Sequence, residues 1–92
     1  MRTRIAGFEW DAWNAGHIAR HRVSPDEAEQ ALLNEPLFRK GRGGYRVAFG
    51  RTDEGRYLFV VYVLKAGGTA RVVTARDMTP AERRYYRRQK GG

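Results

Sequence analysis

The sequence predicts an α+β domain with two N-terminal helices, a three- to four-stranded antiparallel sheet and a C-terminal helix. Two observations carry that prediction. Two proline-bearing capping boxes, Ser24-Pro25-Asp26-Glu27 and Thr79-Pro80-Ala81-Glu82, each announce a helix. Between them lie three β-rich runs separated by glycine turns. Helices packed on one side of an antiparallel sheet make the economical arrangement of such elements. At 92 residues the chain fits one domain, expected to span 1–92 with its core at about 8–88.

Residues 8–21 form the first predicted helix, with Asp11 as its N-cap or first-turn acid. Trp13, His17 and His21 recur at i, i+4 and i+8 and share one stripe. Gly16 costs the helix ~1 kcal/mol relative to alanine, so a close contact or a bend is expected there. In the second helix the Ser24 hydroxyl accepts a backbone N–H, and Glu27 reaches back to the N-cap N–H. Val23, Ala28, Ala31 and Leu32 make its buried face, and Asn34-Glu35-Pro36 ends it.

Arg39, Lys40 and Arg42 sit among Gly41, Gly43 and Gly44 in a flexible basic loop. A short extra strand near Leu37-Phe38 is an optional element. Tyr45 to Gly50 alternates as a strand, and Asp53-Glu54-Gly55 signals a hairpin turn. Arg56 to Leu64 is nearly all apolar, as expected of a central strand buried on both faces. Ala66-Gly67-Gly68 turns the chain into a third run, Thr69 to Ala75. The last helix then runs through Arg83, Arg84, Tyr85, Tyr86, Arg87 and Arg88.

The composition sets the chemical limits. With no cysteine, disulfide scaffolds, thiolate metal sites and a cysteine nucleophile are excluded. No apolar run reaches the ~18–20 residues that a membrane span needs, and the start has no apolar signal-peptide core. A soluble, cytoplasmic protein without membrane contact is expected. The net charge of +8 is unevenly spread. Residues 1–35 carry four basic and six acidic side chains, whereas 36–70 and 71–92 each carry seven basic and two acidic ones. Fifteen of the 18 basic residues are arginine. Arginine offers a planar fork that grips phosphate, so a polyanion, nucleic acid above all, is the expected partner. Arginine-rich codon usage accounts for arginine over lysine equally well, but not for the segregation.

Several groups of residues together resemble the BrnT family. They are Phe8-Glu9-Trp10-Asp11, His21, Val23-Ser24, Glu27-Ala28, Gly50-Arg51, Val72-Val73-Thr74-Ala75-Arg76, Glu82-Arg83, and Tyr85 or Tyr86. The resemblance covers residues 8–86, and its most specific parts are Trp-Asp, the Ala-Arg ending a strand, and Glu-Arg in the last helix. Arg20-His21-Arg22-Val23 stands where the family more often has Lys-His-Gly-Val, and with His17 it marks a divergent branch. The resemblance implies a small bacterial type II toxin of RelE-like fold. It implies a metal-independent endoribonuclease that needs no cofactor. It also implies a ribbon-helix-helix antitoxin as partner, with operator DNA met only through that antitoxin.

Metal-free RNA cleavage needs a base for the 2′-hydroxyl, cations for the phosphorane and an acid for the leaving 5′-oxygen. Arg51 and Arg76, each at a strand end, are the candidate phosphate clamp. His17, His21, Glu54 and Glu82 are the acid–base candidates, and histidine suits work near neutrality. The His17/His21 spacing also suits a metal, but no third ligand stands out, and packing behind Trp13 explains each histidine singly. Glu82 is explained by its capping box. Arg42, Arg56, Arg83, Arg84 and Tyr86 are candidate RNA contacts. For Arg51 and Arg56 the competing role is that of a solvated cross-strand residue or of a partner for Asp53 or Glu54. For Arg83 the competing partners are Glu82 and Asp77, and one tyrosine of the last helix must pack on the sheet. The same arginines also suit a non-catalytic nucleic-acid-binding module or a domain that docks an acidic protein.

Overall fold

The computed structural model describes residues 5–91. The elements run β1 (Gly7–Glu9), α1 (Ala12–Ala19), α2 (Pro25–Leu33), β2 (Leu37–Lys40), β3 (Tyr45–Arg51), β4 (Tyr57–Lys65), β5 (Thr69–Asp77) and α3 (Pro80–Gln89). A short 3₁₀ turn, Ala66–Gly68, joins β4 to β5. The fold is α+β with three helices, as expected, but its sheet is larger and mixed. Five strands lie in the order β1-β5-β4-β3-β2. β1 pairs parallel to β5, and every other pair is antiparallel.

Here one optional element is found and two expectations change. Phe8 and Glu9, placed in the first helix by the sequence, belong to β1, so a strand precedes the helices. The optional strand at Leu37-Phe38 is real and forms the β2 edge. The helices also pack on both faces rather than one. Leu58, Val60 and Tyr62 of β4 meet Ile18 of α1 and Ala28, Ala31 and Leu32 of α2. The alternate residues Tyr57 and Phe59 pack with Phe49 and with Tyr85 and Tyr86 of α3. Period-two alternation along a strand makes these opposite faces. β4 lies at the middle of the sheet, as its apolar run predicts.

Three side-chain caps start the three helices. Both predicted capping boxes form, Ser24 with Glu27 and Thr79 with Glu82. A third, Asp11 with Asn14, starts α1. Asn14 is fully buried, and its Nδ2 donates to the carbonyls of Glu9 (3.0 Å) and Val72 (2.9 Å). One amide thus ties α1, β1 and β5 together. Arg71 pairs with Glu9 and Asp11, and Lys65 with Glu9, around the same corner. Gly16 is not at a close contact, because a Cβ there would meet nothing within 4 Å.

Candidate active site

The β3–β4 hairpin sets the first half of the site. Thr52 N–H donates to the Arg56 carbonyl at 2.9 Å, and Arg56 N–H donates to the Thr52 hydroxyl at 3.0 Å. Gly55, at φ 91°, supplies the left-handed residue of the turn. Asn34 at the end of α2 donates to the Arg51 carbonyl and to Asp53, both at 2.9 Å, and pins the hairpin. Register then places Arg51 directly across from Tyr57.

α3 supplies the second half. Tyr86 is the tyrosine that packs on the sheet. It is only 8% exposed, and its ring meets Tyr57 edge-on at 5.8 Å. With the ring buried, it is not a surface for base stacking, contrary to its expected RNA contact. Docked this way, α3 brings Arg83 and Arg87 over the Tyr57 ring.

Three guanidinium groups share that ring: Arg51 at 4.7 Å, Arg83 at 4.9 Å and Arg87 at 5.5 Å from its centroid. Arg87 Nη2 donates to the Tyr57 hydroxyl oxygen at 3.4 Å. Among the described residues none of these three arginines pairs with a carboxylate. The competing partners named for Arg51 and Arg83 are therefore not used. The hydrogen bond from Arg87, with the charges of Arg51, Arg87 and Arg83, holds the Tyr57 phenol below the ordinary tyrosine range. Tyr57 and Arg87 are the members of this cluster that sequence patterning misses. Only the cross-strand register and the docking of α3 reveal them.

The remaining candidates divide clearly. Arg76 lies over the Phe59 ring at 4.1 Å and forks onto Glu82, Nη1 to Oε1 at 2.8 Å and Nη2 to Oε2 at 3.0 Å. Glu82 thus serves both its capping box and this pair. Arg56 pairs with neither Asp53 nor Glu54. Its guanidinium donates to Asp77 (2.7 and 3.2 Å), Glu27 and the carbonyls of His21 and Arg22. With its donors spent internally, Arg56 is a latch between the α1–α2 turn and the sheet rather than an RNA contact. Arg42 and Arg84 are exposed, on the β2–β3 loop and α3.

The histidines lie elsewhere. α1 packs on the face opposite α3 and buries Asn14 and Ile18, so the Trp13–His17–His21 stripe turns outward. Trp13 is 63% exposed, and His17 stacks on it at 5.5 Å with planes 8° apart. His17 is half-buried against Trp13, as the packing alternative has it, whereas His21 is exposed. The structure brings neither imidazole to the arginines. Among the described residues no group of three or more His, Cys, Asp or Glu converges that could hold a metal ion.

The Arg76–Glu82 fork makes α3 docking acid-labile. The Arg76 hydrogen bonds, with the Thr79 N–H, hold the Glu82 carboxyl below its ordinary 4.5. A depressed folded pKa contributes stability above the unfolded value, lost as pH falls through the folded one. Melting temperature should therefore fall as pH drops below 4.5, and part of that fall should vanish in Glu82→Gln. Identical pH slopes for the two proteins would remove Glu82 from the account.

An α+β domain with unpaired arginines gathered on one sheet face has the charge and geometry to receive a polyanion. The family model described as the ribonuclease toxin BrnT of type II toxin–antitoxin systems matches residues 10–82. The chain belongs to that family, which assigns it RNA as substrate and an antitoxin as partner. Among curated proteins, none matches it. No helix among the described residues is long and apolar enough to cross a membrane.

Proposed function

We propose that the protein is a metal-independent endoribonuclease toxin that cuts RNA by attack of the substrate's own 2′-hydroxyl. Its fold is read as RelE-like and its setting as the bacterial cytoplasm. A ribbon-helix-helix antitoxin neutralises it, and operator DNA is reached only through that antitoxin. The observation that carries this reading is the Arg51–Arg83–Arg87 cradle, three cations that no carboxylate among the described residues answers. Unpaired guanidinium groups held in one place favour the extra negative charge that develops on the phosphorane. Arg76, tethered by Glu82, borders the cradle through Phe59, which packs with Phe49 and Tyr57 in one cluster. It suits a positioning role better than a free clamp.

Arg51→Ala should lower RNA cleavage by about 10²–10³-fold, the usual cost of one charge-stabilising donor. Thermal melting should be little changed, because Arg51 is exposed. The measurement is gel-resolved cleavage of a single-stranded RNA, with and without EDTA. Cleavage that stops on chelation would overturn metal independence. An Arg51→Ala protein as fast as wild type would overturn the cradle. RNA bound but never cut would leave a docking module in place of an enzyme.

A further inference from the structure

We propose that the Tyr57 phenol is the proton donor to the leaving 5′-oxygen of the RNA. The assignment rests on the ribonuclease reading above and deepens it by naming the acid. Its basis is the position of one hydroxyl. Tyr57 is held from two sides, by its register with Arg51 and by the Tyr86 ring at 5.8 Å. Its ring is the floor on which Arg51, Arg83 and Arg87 converge from two separate elements. A phosphodiester gripped by those cations therefore lies beside its hydroxyl.

The hydroxyl is also set up to give rather than take. Its oxygen accepts from Arg87 Nη2, and among the described residues its own hydrogen goes to no acceptor. Loss of that proton leaves a phenolate facing three guanidinium groups, which favour the anion. The lowered phenol pKa noted above points the same way. Among the described residues no other ring has three guanidinium groups over it; Tyr85 has only Arg39. His17 in α1 and His21 in the turn after it lie on the opposite face of the sheet. Tyr86 is buried. Tyr45 begins β3, six residues before Arg51, or about 20 Å along a strand.

The step balances as follows. The 2′-oxygen forms a bond to phosphorus as the P–O5′ bond breaks. The 2′-hydroxyl proton passes to water and the phenolic proton to O5′. The products are a 2′,3′-cyclic phosphate and a 5′-hydroxyl, and the phenolate regains its proton from water.

A leaving group that needs no proton tests this. Tyr57→Phe keeps the ring and the arginines over it, and removes only the hydroxyl. On ordinary RNA it should cleave about 100-fold or more slowly, in the range of a lost general acid. On RNA carrying sulfur in place of the bridging 5′-oxygen at the mapped cleavage position, it should cleave close to the wild-type rate, because a thiolate leaves unprotonated. Tyr45→Phe should match wild type on both substrates. Circular dichroism melting and RNA binding of Tyr57→Phe should be unchanged. Wild-type speed of Tyr57→Phe on ordinary RNA, or equal slowing on both substrates, overturns the assignment and leaves the ribonuclease reading standing. A wild-type protein inert on both substrates brings down the ribonuclease reading itself, and this assignment with it.

Discussion

Gly50→Ala should destabilise the protein by about 3 kcal/mol or more, at the upper end of what overpacking costs. Gly50 is buried in β3 beneath α2. A Cβ there would stand 2.3 Å from the Ala31 carbonyl oxygen, 3.0 Å from its carbon and 3.1 Å from the Pro36 Cβ. Two of those atoms are backbone, so no rotamer change relieves the clash. α2 would have to lift from the sheet, opening the cluster around Leu32, Leu58 and Val60. For a domain of this size each kcal/mol moves the melting point by roughly 4–8 °C. A fall of about 12–24 °C follows from those figures, read by circular dichroism. Melting within a degree of wild type would mean that α2 is not seated on Gly50.

Arg56→Ala should cost about 2–3 kcal/mol, somewhat less than breaking a fully buried ion pair, because the side chain is 26% exposed. One guanidinium joins Asp77 at the end of β5, Glu27 in α2 and two carbonyls of the α1–α2 turn. Its removal leaves two carboxylates and two carbonyls without that partner. Arg56→Lys should recover little, since one ammonium cannot span Asp77 and Glu27 with the same fork. Urea titration reads this directly, and an unchanged midpoint for Arg56→Ala would show that the latch bears no strain. The contrast with Arg51→Ala is the useful part. Two arginines flanking one hairpin should separate into a variant that folds but does not cut and a variant that melts early.

Much of the architecture is legible in the sequence because it is locally encoded. Ser24 and Thr79 cap their helices through residues three positions away, so α2 and α3 are found within a residue or two. The turn at Asp53-Glu54-Gly55 and the apolar run of β4 are equally local. β1 is not legible. Gly7–Glu9 is a strand only because β5, some sixty residues later, offers it a partner. The buried face of α1 is not legible for a related reason. Trp13 and the histidines form the stripe that spacing picks out, whereas the residues facing the sheet are Ile18 and polar Asn14, whose amide bonds the carbonyls of Glu9 in β1 and Val72 in β5. The site is half legible. Arg51 stands out at its strand end, and Arg83 by its place after Glu82. Tyr57 looks like any aromatic opening an apolar strand, and its role exists only once α3 has delivered Arg83 and Arg87 above it.

That dependence on α3 has a consequence in time. Chains emerge at about 5–20 residues per second, N-terminal parts first. The hairpin bearing Arg51 and Tyr57 is therefore synthesised roughly 2–6 s before Arg87, thirty residues later. Through that interval the nascent chain holds one arginine of its cradle and an unstapled phenol. On the ribonuclease reading, the cradle cannot close until α3 has been made and docked on the sheet.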